Sequence, residues 1–209
     1  MPRRPEILLA QLPIPQAAAL CGTGNVPLAA GSLAVAARRA GFGARLDVDI
    51  LPPSVTDVLG DALLVDLVAR RAPAFLGLSL YLWNVERSLH LAREVKKRSP
   101  ATTVLIGGPE VGPDNPFVLA QDGWDVAVTG EAEADFPALL EALLAGRSPE
   151  GSPGVAVRRG GVVSAWGPPP RVDFPLRDAP SPYLDGTLPV EPRRSVYLET
   201  VRGCRSHCT

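Results

Sequence analysis

Through residue 145 the sequence alternates between short β-like runs and longer stretches of helical periodicity, and no other feature restricts the fold as much. Residues 7–12 form a compact apolar run that reads as a first strand. Residues 27–40 read as a helix, with Pro27 suited to its first turn and Gly41 beyond its end. A strand over 46–51, with Asp47 and Asp49 outward, and a helical stripe over 58–68 come next. Residues 75–80 make a third strand. In the helix after it Val85, Leu89, Ala92 and Val95 share one face, and Asn84 stands where a cap belongs. Residues 103–106 make a fourth strand ending in Gly107-Gly108-Pro109, and a short helix near 117–120 and a fifth strand over 124–128 follow. Asp135 is placed to cap a last helix, whose stripe is Leu139, Leu140, Leu143 and Leu144. Five short strands separated by helices call for a parallel sheet covered on both faces, with ligands at the carboxyl ends of the strands.

The pattern changes after residue 146, which gives three expected parts: an α/β domain over 1–146, a hairpin and linker over 147–194, and a new unit from 195 to 209. Residues 155–157 and 162–165, joined across Arg159-Gly160-Gly161, suggest a small hairpin. The proline-rich stretch 168–192 should run as an extended linker. Residues 196–198 read as a lone strand leading into the final cysteines.

Composition removes several classes. Lys+Arg 21 against Asp+Glu 22 gives no support to a broad basic face, so no nucleic-acid partner is expected. Apolar runs are too short and broken for a membrane span or signal peptide. Three cysteines do not make an extracellular disulfide framework, and a cytoplasmic protein is the plain expectation. Neither a G-x-G-x-x-G fingerprint nor a P-loop occurs, and two histidines cannot build a hydrolytic triad.

Cys204 and Cys208 stand four positions apart, and such soft thiolates suit an Fe–S cluster or zinc. Two exposed cysteines in a tail is the competing reading. His207 between them is either a further ligand or a solvated side chain, and Cys21 is most simply a small buried or loop thiol.

The stretch Tyr197-Leu-Glu-Thr-Val-Arg-Gly-Cys204-Arg-Ser-His-Cys208-Thr209 resembles the cluster motif of the radical S-adenosylmethionine superfamily. In that family a CxxxCxxC pattern holds three irons of a [4Fe–4S] cluster, and the fourth iron binds S-adenosylmethionine. Cys204 and Cys208 match its first two cysteines; the third would fall past Thr209, so the resemblance implies a truncated barrel domain. Residues 25–33, 79–84, 96–100, 106–111 and 129–133 resemble, in order, the cobalamin-binding domain that precedes the barrel in some members. The implied fold is a doubly wound, flavodoxin-like five-stranded parallel sheet. The implied cofactors are cobalamin, with the cluster and S-adenosylmethionine in the full-length protein, and the implied chemistry is methyl transfer to an unactivated carbon. Its partners would be a small molecule or natural-product intermediate and an electron donor such as flavodoxin or ferredoxin, with no complete catalysis by residues 1–209 alone.

The resemblance places the corrin at Asn25, Ser79, Tyr81, Trp83, Asn84, Gly107, Gly108, Pro109, Glu110, Gly130 and Glu131, and the cluster at Cys204 and Cys208. Gly107 and Gly108 would admit a bulky group to the backbone, or simply make a tight turn. Tyr81 and Trp83 would offer flat apolar surface, or pack in a core or domain interface. Asn84 and Ser79 would hydrogen-bond the ligand, or satisfy a helix cap and a strand end. Glu110 and Glu131 would face the crevice, or stay solvated, Glu131 with a capping role as its alternative. No Asp-x-His-x-x-Gly motif occurs and His90 is expected to face solvent, so a bound cobalamin would have its lower base displaced without a protein histidine on cobalt. A colourless, non-catalytic doubly wound module that binds a nucleotide-like ligand or a partner protein is the alternative.

Overall fold

The computed structural model describes residues 4–13, 25–170, 176, 179–190 and 196–201. Five parallel strands, β1 (Glu6–Ala10), β2 (Asp47–Ile50), β3 (Phe75–Ser79), β4 (Thr103–Gly107) and β5 (Val126–Val128), lie in the order β2-β1-β3-β4-β5. The chain winds first to one side of β1 and then to the other, so the topological switch point falls between β1 and β3. Phe75 pairs with Thr103 and Ser79 with Gly107, the neighbouring parallel register expected of these two strands.

Helices α1 (Leu28–Arg39), α2 (Pro53–Thr56), α3 (Asp61–Arg71), α4 (Val85–Arg98), α5 (Pro116–Ala120) and α6 (Phe136–Leu144) connect the strands. Alternation along each strand divides the interior into two cores. Leu8, Leu76, Leu78, Val104 and Ile106 pack with Leu64, Leu89 and Trp124 on the α3–α4 face. Ile7, Leu9, Phe75, Leu105 and Val126 meet Ala30, Ala34, Phe136 and Leu140 on the α1–α6 face. At the amino edge of the sheet, Lys96 Nζ donates to Asp125 Oδ2 at 2.9 Å and to Thr102 O at 3.0 Å. The same carboxylate oxygen accepts the Val104 amide at 2.7 Å, so α4 is stapled to the starts of β4 and β5.

Several local expectations shift. Pro27 precedes α1 at its N-cap position instead of entering the first turn. The helix expected over 58–68 starts later and runs further, as α3, with Val58 exposed in the turn before Gly60, and a short helix, α2, precedes that turn. Neither Asn84 nor Asp135 caps its helix through the side chain, whereas Asn115, which sequence reasoning passed over, accepts from the Val118 amide.

The hairpin does not stand apart from the sheet. Its strands β6 (Val155–Arg159) and β7 (Val162–Val163) extend the sheet to seven strands, β6 running antiparallel to β5. The physical reason is continuity of both cores: Val155 and Val157 join one and Ala156 the other. Gly160 and Gly161, at φ 56° and 83°, supply the two-residue turn whose twist matches paired strands.

The described part of the proline-rich stretch is likewise less extended than its composition suggests. Residues 179–190 form turns that lie on α1. Gly31 makes the seat: a side chain there would stand 2.8 Å from Leu188 Cδ1 and 2.9 Å from Pro182 Cβ. Leu188 is buried as a result, and Arg38 Nη1 donates to Thr187 Oγ1 at 2.7 Å beside it. Residues 196–198, expected as a strand, form no ladder among the described residues. The Tyr183 hydroxyl holds the backbone of Tyr197, donating to its carbonyl at 3.1 Å and accepting its amide at 3.2 Å.

Candidate functional site

The carboxyl ends of β1, β3, β4 and β5 open into a slot between the sheet and helices α1 and α6. The cavity volume of the slot is about 140 Å³, and it is open to solvent at its mouth. Its existence follows from what the strands present on this face. Ladder register puts Leu9, Gly77 and Leu105 in one row and Ser79, Gly107 and Val128 in the next. Two of these six positions have no side chain, so the sheet lacks the volume to meet the helices. On the helix side α1 contributes Ala29, Ala30 and Leu33, again with small residues toward the gap.

The two slot glycines differ. A side chain at Gly77 would stand 2.6 Å from Leu9 Cδ2, so Leu9 leans across that position. At Gly107 the nearest atom to an added Cβ is Val128 O at 3.4 Å, an ordinary contact with open space beyond. Gly107 is therefore where the backbone itself floors the slot. Gly108 serves another end: its φ of 108° and the 2.6 Å between an added Cβ and Leu80 O make glycine a requirement of the β4 turn. Of the two glycines expected to admit a ligand, Gly107 has open space before it, while the conformation of Gly108 is required by packing against Leu80. Gly77 was missed, although a glycine inside an apolar strand is a recognised sign of close approach.

The slot has few charges. Ile7, Leu9, Leu33, Leu105 and Phe136 line its depth. Ser79 sits at the end of β3, and Glu131 and Glu133 lie on the β5–α6 loop at the mouth. Gly130 begins that loop at φ 78°, with Pro170 packed where its side chain would be.

The remaining expected residues divide between edge and frame. Tyr81 and Trp83 stack on each other beyond β3, centroids 4.6 Å apart and planes 9° from parallel. Trp83 is the more open, at 44% exposure. Burial, with Glu199 nearby, holds the Tyr81 hydroxyl above its ordinary pKa. Asn84 is buried and fully engaged: Nδ2 donates to Leu12 O at 2.9 Å and Ser79 O at 3.2 Å, and Oδ1 accepts the Tyr81 amide. It braces the β1 and β3 ends and shapes the loop that presents the rings. Asn25 exchanges hydrogen bonds with Gln11, its Nδ2 donating to Gln11 O at 2.6 Å, and so ties β1 to the start of α1. Pro109 is exposed, and Glu110 accepts from Asn115 Nδ2 through its carbonyl at 2.9 Å. His90 is half-buried on α4, on the far face of the sheet from the slot, where solvent exposure was expected. Cys21, Cys204, His207 and Cys208 lie outside the described residues. Among the described residues no group of acidic, histidine or cysteine side chains is arranged to hold a metal ion, and no helix is long and apolar enough to cross a membrane.

Residues 21–140 match the B12 binding domain family. The chain is 38% identical over 148 residues to a cobalamin-dependent radical SAM methyltransferase, TokK, of Streptomyces tokunonensis, a match covering 66% of this chain and 21% of that one. It is 40% identical over 148 residues to the 2-(S-pantetheinyl)-carbapenam-3-carboxylate methyltransferase of Streptantibioticus cattleyicolor, covering 65% and 21%. This chain therefore spans about a fifth of the length of those curated relatives. Among solved structures it superposes on the cobalamin-dependent S-adenosylmethionine radical enzyme OxsB with aqua-cobalamin and S-adenosylmethionine bound, at TM-score 0.65 and 15% identity over 87% of this chain and 24% of that one. It also superposes on the radical S-adenosylmethionine methyltransferase TsrM of Kitasatospora setae with cobalamin and a [4Fe–4S] cluster bound, at TM-score 0.59 and 20% identity over 81% and 32%. These likenesses establish the same α/β fold.

Proposed function

This chain belongs to the B12 binding domain family, and from that premise we propose that it holds cobalamin over the carboxyl edge of its sheet. The observation that carries the reading is the slot floored by Gly107. A bulky nucleotide tail needs a deep, mostly apolar recess with backbone in place of side chain, and this face of the sheet supplies one. The exposed side of the Tyr81–Trp83 stack offers the flat apolar surface a corrin ring would cover. Asn84 positions that loop without touching the ligand, Ser79, Gly130 and Glu131 line the opening, and Pro109 and Glu110 follow Gly108 on the loop after β4. His90 stands on the far face of the sheet, so among the described residues no histidine would reach the cobalt, and the slot would hold the nucleotide tail with its lower base.

Bound cobalamin supplies a carrier for a methyl group; the chain's own residues seat it, orient it and shield its tail from water. In the whole protein Cys204 and Cys208 are two ligands of a [4Fe–4S] cluster that binds S-adenosylmethionine, and the reaction is methyl transfer to a carbon of a small molecule or natural-product intermediate. Reduction by a flavodoxin or ferredoxin in the cytoplasm completes this reading.

Titration of the chain with hydroxocobalamin, followed by its visible spectrum, should give stoichiometric binding with the spectrum of a base-displaced corrinoid. Gly107→Leu should weaken binding at least a hundredfold with far-UV circular dichroism unchanged. Undiminished affinity in that variant would remove the slot from the site.

A further inference from the structure

We propose that the slot also chooses which lower base it accepts, favouring a benzimidazole- or phenol-type base over a purine. The inference rests on the reading of the slot as the seat of the nucleotide tail and adds a chemical selectivity to it. Depth in the slot follows strand direction. Ser79, Gly107 and the loop carrying Glu131 and Glu133 stand at the carboxyl edge, whereas Ile7, Leu9 and Leu105 lie toward the amino end, with Leu33 and Phe136 facing them. The deep walls are therefore carbon, and the polar side chains are confined to the opening where a ribose and phosphate would pass.

Nor does the backbone supply partners. β3 is paired to β1 and β4, and β4 to β3 and β5, so their amides and carbonyls are committed to ladders on both sides. Past its first turn those of α1 are committed to the helix, and the amides that its first turn leaves over, at Ala29 and Ala30, stand where the helix begins, at the carboxyl edge and not beside the deep walls. A base held here must leave its ring-edge polar atoms unpaired, and burying an unpaired polar group is unfavourable. Benzimidazole- and purine-type bases share the imidazole nitrogen that coordinates cobalt when the base is not displaced. A purine adds two ring nitrogens and an amino group; 5,6-dimethylbenzimidazole adds only methyl groups, and p-cresol has no ring nitrogen.

The test is a set of titrations of the whole chain with cobalamin, the adenine-based cobamide, the p-cresol-based cobamide and cobinamide, which lacks the nucleotide tail. Cobalamin and the p-cresol form should bind within fivefold of each other, the adenine form at least tenfold more weakly than cobalamin, and cobinamide at least tenfold more weakly. Equal affinity for cobalamin and the adenine form, with cobinamide still weak, would overturn the selectivity and leave the tail in the slot. Cobinamide binding as tightly as cobalamin, or no corrinoid binding, would overturn the seat itself and the selectivity with it. Leu33→Gln places an amide among the deep walls and should narrow the adenine-to-cobalamin ratio at least threefold without changing cobinamide affinity. A ratio unmoved by that substitution would refute the absence of partners as its cause.

Discussion

The two faces of one sheet are built from the same strands and to opposite ends. On the α3–α4 face β3 presents Leu76 and Leu78, and β4 presents Val104 and Ile106, all buried against helices. On the α1–α6 face the same strands present Gly77, Ser79 and Gly107, and the volume withheld there becomes the slot. A sheet of this kind can place its stability on one side and its recess on the other, because alternate side chains are chosen independently.

The largest expected effect tests that division directly. Leu76→Ala should lower stability by roughly 2–5 kcal/mol, since it opens a cavity in a filled core. Leu105→Ala, on a wall already beside open space, should cost no more than about 2 kcal/mol. Chemical denaturation of the two variants checks the order, and equal losses would break the contrast between the faces. Next come the adjacent glycines: Gly108→Ala should destabilise by about 1–3 kcal/mol through backbone strain. Gly107→Ala should leave stability within about 0.5 kcal/mol and act on cobalamin affinity instead. A smaller effect separates the edges of the sheet. Lys96→Met at the amino edge should cost about 1–1.5 kcal/mol, with cobalamin affinity unchanged by titration.

The smallest effect sharpens the comparison by showing where the faces agree. Asp66 on the α3 side and Glu141 on the α6 side are each held below the usual carboxylate range, chiefly by a hydrogen bond from Arg70 and Arg45 respectively. Both carboxylates are exposed to screening by solvent. A depressed folded-state pKa gives stability that is present above the unfolded value and lost as pH falls through the folded one. Both pairs should therefore add a little near neutral pH and release it below about pH 4. Side-chain carboxyl NMR titrations of wild type, Arg70→Gln and Arg45→Gln check this, with the carboxylate pKa moving up in each variant.

Much of the fold was legible because periodicity survives without knowledge of partners. The five parallel strands and the helices between them could be read from runs such as 75–80 and from the Val85, Leu89, Ala92 and Val95 stripe. The sheet's extension could not be read, because Val155 and Val157 look the same whether their hairpin is free or paired to β5. The opening was visible in Gly107 and Ser79. Gly77 was hidden in an apolar run, and the structural duty of Gly108 depends on a contact with Leu80 that spacing does not encode. Asn84 shows the same limit: its three bonds reach Leu12, Ser79 and Tyr81, and two of those partners were not neighbours an Asn before a helix would suggest.

The seat that Gly31 provides for Leu188 changes what the proline-rich stretch is to whatever follows it. A free tether lets its far end sample a volume that grows steeply with length, diluting the two ends with respect to each other. Residues 179–190, laid on α1 and anchored by Leu188 and Arg38, take about half of that length out of the search. The grip of Tyr183 on Tyr197 fixes the start of the next segment as well. Residues 179–190 thus act as a bracket that holds residues 197–199 beside the start of α1 and Tyr81. Filling the notch at Gly31 would loosen that hold without altering the sheet.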